Sequence, residues 1–460
     1  MARVMSWCMS RKHVFHAAAA AAFSVGLWGC ASGEDDRTSA AHPATGRIGA
    51  ASSYAPTRTA TSGPAWSGKS GASGHPTMTA SAIQAAAAAF PRCIEALWPA
   101  ARRRGVTRAV FERHTAGLAP DLRLMDLMDS QPEFTRAVWD YLDTLVSETR
   151  IQKGREMLAA HSAVFDVVEA KYGVDKHVIA AIWGVETNFG AITGDRSVIR
   201  STATLACVGR RQNYFREEFL SALDILQRGD VQPDLLKGSW AGAFGPTQFM
   251  PTTYFKFAVD FDRDGRRDMV GTVADAMAST AHKLKSAGWE SGQTWGYEVT
   301  LPRGFDYLLA DRSRQLSIAQ WEKLGVRRAG GKGFARHASD AQLLAPAGAG
   351  GPAFLMLHNF RAIMKYNPAE AYAIAIGHLA DRMRGGAPFL QPWPRGEQML
   401  SRSERHELQQ RLAGRGFYSG EPDGRLGGET RVAIRHYQQS VGLTPDGFAS
   451  GTILSRLRGQ

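Results

Sequence analysis

The stretch Ala181–Gly190 reads A-I-W-G-V-E-T-N-F-G and sets one glutamate, Glu186, inside an otherwise apolar run. Upstream, Gly173 is suited to end one helix and Asp175 to cap the next, because both residue types satisfy orphan backbone groups at helix ends. Val178, Ile182 and Val185 then recur at i, i+4 and i+7, the spacing of one buried helix face. Glu186 falls in the last turn, beside Ile182 and Trp183. A carboxylate set against Trp and Ile is partly desolvated, which favours the protonated form that a general acid needs. The plain alternative is a surface glutamate near a helix end, where negative charge is also disfavoured. The remainder of the chain decides between the two.

With 460 residues the chain exceeds one usual core and predicts two or three domains. Its formal net charge of +12 calls for an anionic partner: nucleic acid, a membrane surface or an acidic cell-wall polymer. No basic run interleaved with aromatics stands out, which argues against nucleic acid. Arg11 and Lys12 precede an apolar run, Val14–Trp28, too short for a membrane span and suited to a signal-peptide core. It ends Leu27-Trp28-Gly29-Cys30, which resembles a bacterial lipobox with Cys30 as the lipid-modified residue, although Trp28 stands where a small residue is usual. Ordinary cleavage to a soluble exported protein is the alternative. Alanine and serine after Cys30 favour, by the same resemblance, the outer membrane facing the periplasm. Of the remaining thiols outside the signal, Cys93 and Cys207 are either a disulfide in an oxidising compartment or two separate buried thiols.

The expected organisation is a signal peptide (1–29), an Ala/Ser/Thr/Gly-rich tether (30–82), a catalytic domain (83–390), a linker (391–400) and a small C-terminal module (401–458). Between Cys30 and Met78 the only large apolar side chains are Ile48, Tyr54 and Trp66, too few for a core. Helical periodicity runs from Ile83 to about Leu226 and includes a long helix over Glu133–Ala160. Alternation at Tyr297–Leu301 and the apolar runs Leu343–Leu344 and Phe354–Leu357 predict a small sheet beside the helical body. Helix returns over Phe360–Arg384, and Pro388, Pro392, Pro394 and Gly396 mark the linker. The tail carries an internal echo, Asp423-Gly424 with Thr430 and then Asp446-Gly447 with Thr452, each read as a turn into a helix capped near the Thr. Ala433, Ile434 and Tyr437 line one face between them.

G-V-E-T-N-F-G around Glu186, followed by S-W-A-G-A-F-G-P-T-Q-F-M-P over Ser239–Pro251, resembles the lytic murein transglycosylase B family (glycoside hydrolase family 103) across about residues 90–388. The tail, with L-Q-x-x-L from Leu408, G-F-Y from Gly416 and the two D-G pairs, resembles a peptidoglycan-binding module. The resemblance implies a mainly α (α+β) protein: a lysozyme-like helical catalytic domain with a small β-sheet subdomain, plus a small all-α C-terminal domain. It further implies that Glu186 protonates the bond between N-acetylmuramic acid and N-acetylglucosamine. Glu186 then acts as base towards the muramic C6 hydroxyl, closing a 1,6-anhydro ring. Ser239, Gln248 and Phe249 match sugar-positioning residues; Arg210, Arg211 and Tyr214 lie in G-R-R-Q-N-Y-F, whose arginines are expected to face lactyl or peptide carboxylates. Tyr366, Asn367 and Tyr372 match a cleft-lining Y-N-x-x-x-x-Y element, with Asn367 placed to hold the N-acetyl group.

Ordinary glycosidases use two carboxylates at a defined separation. Here Asp195, Glu217 and Glu218 stand in polar surroundings and read as solvated or structural. A single acid/base is sufficient if the substrate's 2-acetamido group attacks the anomeric carbon. No cofactor is required. Asp260, Asp262 and Asp264 with Gly265 follow the start of a calcium loop, but position twelve is Gly271 instead of Glu, and the resemblance offers Asp275 to close an enlarged site. A structural calcium and an acidic turn neutralised by Arg263, Arg266 and Arg267 both stay open. The expected partners are glycan strands of peptidoglycan and, through Cys30, a membrane; proteins of wall synthesis or division are not specified by the sequence. The rivals to a transglycosylase are a muramidase using water on the same bond and a non-catalytic wall-binding scaffold.

Overall fold

The computed structural model describes residues 66–71, 74–128, 136–310 and 313–459. Cys30 and the export segment lie outside them. The helix Lys176–Thr187 forms the axis of the body. Gly173, at φ 68°, ends the preceding helix, and Asp175 Oδ1 accepts the His177 N–H at 2.8 Å, as the local sequence dictates. The single buried face expected from Val178, Ile182 and Val185 is too modest a reading. Nine of its residues are buried, on all sides, and Val185 is the more open one. A helix apolar all round belongs in the centre of a core. It packs against the helices Glu370–Met383, Glu148–Ala160 and Val273–Ser286.

Two expected long helices are each broken in two. The Glu133–Ala160 pattern divides into Val138–Leu145 and Glu148–Ala160, because Ser147 takes an extended backbone and its hydroxyl accepts the Arg150 N–H. The Phe360–Arg384 pattern divides into His358–Met364 and Glu370–Met383 around Tyr366-Asn367-Pro368. Proline disfavours helix at the residue before it, and the break frees Tyr366 and Asn367 to point away from either helix.

β1 (Arg196–Ser197) pairs antiparallel with β2 (Lys237–Gly238). Five strands form the second sheet: β3 (Gly296–Thr300), β4 (Leu316–Ser317), β5 (Arg327–Arg328), β6 (Asp340–Leu344) and β7 (Ala353–Met356). Their order is β4-β6-β7-β3-β5 and every pairing is antiparallel. The three strands foreseen from alternation are β3, β6 and β7, the central ones. The short edges β4 and β5 carried no such signal. Along β7 the faces alternate: Phe354 and Met356 enter the helical core, Ala353 and Leu355 the sheet's own core around Trp321 and Ile318.

The C-terminal module has a separate core of Leu408, Leu412, Ala433, Ile434, Tyr437, Ile453 and Leu454. Its sequence echo has a physical basis. Gln409 Oε1 accepts the N–H of Asp423 and Gly424, and Gln438 Oε1 accepts that of Gly447, so each D-G turn is clamped by a glutamine. The helix caps are Gly427 and Ser450, so each helix starts near its threonine, with Thr430 and Thr452 in the first turn. The linker is laid on the body: Trp393 meets Trp139 and Phe354, and Arg395 pairs with Asp143. The end of the expected tether is likewise folded. Trp66 packs on the main core, Ser67 Oγ donates to Asp126 at 2.6 Å, and a helix begins at Ala80.

Cys93 and Cys207 form a disulfide spanning a sequence separation of 114. On chain-entropy grounds a loop of that length is worth about 4–5 kcal/mol against unfolding. Denatured, unreduced protein should therefore leave both thiols unreactive towards an alkylating agent, and Cys207→Ala should lower the melting temperature; labelling of both without reductant would contradict the bridge.

Candidate active site

Glu186 ends the buried helix at a forced turn. Asn188 and Phe189 both adopt positive φ, 50° and 59°, and an aromatic residue held there is strained. The strain is held by packing: the Phe189 ring lies over Gly184, where an added Cβ would come within 2.6 Å of it, and meets Trp183 edge-on at 5.8 Å. Thr187 fastens the helix end to the second motif, donating to Pro246 O at 2.6 Å and accepting from Gly190 N–H at 2.9 Å. Gln248 returns the link through Nε2 to Thr193 O at 3.0 Å. The two sequence motifs are thus one structural unit.

Glu186 is 6% exposed, and Tyr372 Oη donates to its Oε1 at 2.7 Å. Burial, and then the charge of Glu186, hold the Tyr372 hydroxyl well above its ordinary range, so it keeps its proton and remains a donor. Tyr366, from the break before the same helix, donates to Thr247 O at 2.5 Å and is also kept neutral by burial and by Glu186. Lys283, on the helix Val273–Ser286, places Nζ 3.4 Å from the centre of the Tyr366 ring and 5.1 Å from that of Phe249. Burial lowers its pKa to about 7, against the pull of Glu186 in the opposite direction.

Of the residues expected to hold sugars, Gln248 has a buried Oε1 without a hydrogen-bond partner among the described residues, an acceptor suited to a ligand's N–H or O–H. Its backbone, at φ 51°, is turned to put it there. Ser239 Oγ accepts the Ala243 N–H at 3.1 Å and shapes its own loop. Phe249 is fully buried under Tyr366 and offers no face to a sugar; it is floor, not stacking platform. Asn367 is 2% exposed and its Oδ1 accepts the Ala369 N–H at 3.0 Å.

The arginine motif is tied locally. Arg210 donates to Met128 O at 2.6 Å, and Arg211, at φ 62°, stacks over Tyr214 at 4.5 Å. Glu218 is buried and accepts Thr252 N–H and Oγ1–H, capping the helix Pro251–Phe257; burial raises its pKa despite those donors. Glu217 pairs with Arg104 at the surface, and Asp195 is exposed. The expectation that these three acids are structural or solvated fits their surroundings. Sequence reasoning missed Thr187, Thr247 and Lys283. Thr187 stood next to Glu186 in the motif, whereas Lys283 had no signal, since its aromatic neighbours lie far away along the chain.

In the acidic loop, oxygens of Asp260, Asp262 and Asp264 lie within 4.8 Å of one another. Asp275 lies against the same loop. Its two oxygens accept the Phe261 and Asp268 N–H groups, and burial raises its pKa to about 6. Both hydrogen bonds hold the backbone of the acidic loop.

The Transglycosylase SLT domain family matches residues 89–381, and a peptidoglycan binding domain family matches 401–457. Membrane-bound lytic murein transglycosylase B of Escherichia coli is 30% identical over 271 residues, covering 56% of this chain and 72% of that protein. SltB3 from Pseudomonas aeruginosa, solved with NAG-anhNAM-pentapeptide and with NAG-NAM-pentapeptide, is 47% identical. That likeness covers 80% of this chain and 99% of SltB3 with a TM-score of 0.78. Slt35 of Escherichia coli, solved in complex with calcium, is 27% identical over 64% of this chain and 92% of its own, with a TM-score of 0.54. The chain belongs to the SLT transglycosylase family and is a lytic transglycosylase of peptidoglycan with a C-terminal peptidoglycan-binding domain.

Proposed function

We propose that Glu186 is the sole acid/base of the reaction and that cleavage between N-acetylmuramic acid and N-acetylglucosamine leaves a 1,6-anhydro end. The observation that carries this reading is the setting of Glu186, buried and hydrogen-bonded by Tyr372, while Glu218 is tied to Thr252, Glu217 to Arg104, and Asp195 is exposed. The proton of Glu186 goes to the glycosidic oxygen as its bond to the muramic C1 breaks. The acetamido oxygen shields C1, and Asn367, whose amide hydrogens are not engaged by the described residues, donates to that acetamide. The carboxylate then takes the C6 hydroxyl proton as that oxygen closes on C1, which restores the acid. Gln248 Oε1 orients a neighbouring sugar. Glu186→Gln keeps shape and loses the proton, so turnover of soluble glycan should fall at least about 10²-fold while glycan binding survives. Full activity in that variant would end the proposal.

The export reading is carried by Leu27–Cys30 and by the membrane-bound relative. Among the described residues no helix is long and apolar enough to cross a membrane. From the lipobox and the relative we infer attachment through lipid on Cys30 to the outer membrane's periplasmic face, reaching the wall through the residues that follow. Cys30→Ala should move the protein from the membrane fraction to the soluble one; equal partitioning of variant and wild type would contradict the anchor.

For the acidic loop we propose a structural calcium. Asp260 Oδ1 is buried without a partner among the described residues, a costly state that a cation would relieve, and three hard oxygen donors suit it. When bound, the ion would brace the loop and take no part in bond cleavage. Calcium should raise the melting temperature relative to chelator, and Asp260→Ala should abolish the difference. Identical melting under both conditions in the wild type would remove the ion.

A further inference from the structure

A half-buried ammonium group has lost part of its water, and a compensating charge or an aromatic face close by offsets that loss. Lys283 has that face. Its Nζ lies 3.4 Å from the centre of the Tyr366 ring, with Phe249 on a second side, and it makes no hydrogen bond or ion pair with the described residues. Tyr366 turns its hydroxyl to Thr247 O, which leaves the ring to the cation. Glu186 is joined to this group by packing: its neighbour Thr187 donates to Pro246 O, next to the Thr247 carbonyl that takes the Tyr366 hydroxyl, and its charge acts on both Tyr366 and Lys283. From the Glu370–Met383 helix comes Tyr372, neutral and bonded to Glu186; on its own helix, His282 is turned to Phe257 O and Lys285 is exposed. Glu186, Tyr372, Tyr366 and Lys283 therefore form one electrostatic cluster.

We propose that Lys283 is a positioning residue for the acid: its ammonium, held against Tyr366, is the counter-charge of the carboxylate that Glu186 becomes on giving up its proton. This rests on the reading of Glu186 as the acid/base. Lys283 exchanges no proton with substrate. Glu186 donates to the leaving oxygen and recovers its proton from the C6 hydroxyl, and Lys283 stabilises the interval between. The cation favours the ionised form of Glu186, so without it Glu186 is a weaker acid that holds its proton to higher pH. The lowered pKa of Lys283, about 7, lets the counter-charge fade as the solution becomes alkaline.

The direct test is the titration of Lys283, followed by carbon-13 NMR at Cε and assigned by its loss in Lys283→Met, in the wild type and in Glu186→Gln. Removing the opposite charge should lower the Lys283 midpoint by about 1 pH unit or more. Equal midpoints in the two proteins overturn the proposal. In kinetics on soluble glycan, Lys283→Met should lower kcat about tenfold or more, with KM within about twofold. The alkaline limb of its pH profile should move to higher pH, and Lys283→Arg should return the limb towards its wild-type place. A folded Lys283→Met with the wild-type profile also overturns it. If Lys283→Met does not fold, Lys283→Arg serves for assignment and the midpoints decide. An inactive Glu186→Gln with an unmoved Lys283 midpoint retires Lys283 and leaves the acid in place. An active Glu186→Gln retires the acid reading, whatever Lys283 does.

Discussion

A carboxyl group 6% exposed at the end of a buried helix has to be satisfied by the protein itself, and the architecture around Glu186 follows from that demand. Tyr372 must reach it, so the Glu370–Met383 helix packs along the helix Lys176–Thr187. The turn after Glu186 must be tight enough to open the site to a strand of sugar. Two residues with positive φ make that turn, and Gly184 makes room for the Phe189 ring that holds it. Thr187 then couples the turn to the Pro246–Phe249 loop, so Glu186 and Gln248 keep one spacing. Preorganisation of this kind is what a reaction with a single acid/base requires, because no second carboxylate corrects a misplaced substrate.

What the sequence disclosed was local. Gly173 and Asp175 announced a helix boundary by residue type alone, and the place of Glu186 at a helix end was legible from an apolar run closed by T-N-F-G. The alternation of β3, β6 and β7 was legible because a sheet between two cores keeps its period of two. The break at Ser147 was missed because a serine's competition with the backbone is weak beside a long helical periodicity. Pro368 carries the stronger signal, since its ring ends helix at the preceding residues, and the two helices part there. The burial of Phe249 was not legible at all. An aromatic residue suits a core and a sugar face equally, and only tertiary packing decides. The same holds for Lys283, which reads as a surface cation until Tyr366 is folded over it.

The module at the C-terminus is both separate and attached. Its own apolar core and its two glutamine-clamped turns make it a unit, yet Arg431 pairs with Glu370 and Asp446 accepts the Ala349 N–H of the catalytic body. Glu370 opens the helix that carries Tyr372, so the wall-binding unit rests on the same element that holds the acid. The family's sequence motifs cover the chemistry and leave this docking unannounced, because its contacts join residues far apart along the chain.

The central claim is that an internal hydroxyl, and not water, ends up on C1 of the muramic sugar. Digestion of purified peptidoglycan in oxygen-18 water, with mass spectrometry of the released fragments, tests it directly. The account predicts fragments lighter by one water than a reducing end and free of the heavy isotope at the new terminus. Heavy oxygen at C1 would show a hydrolase working on the same bond and would contradict the account.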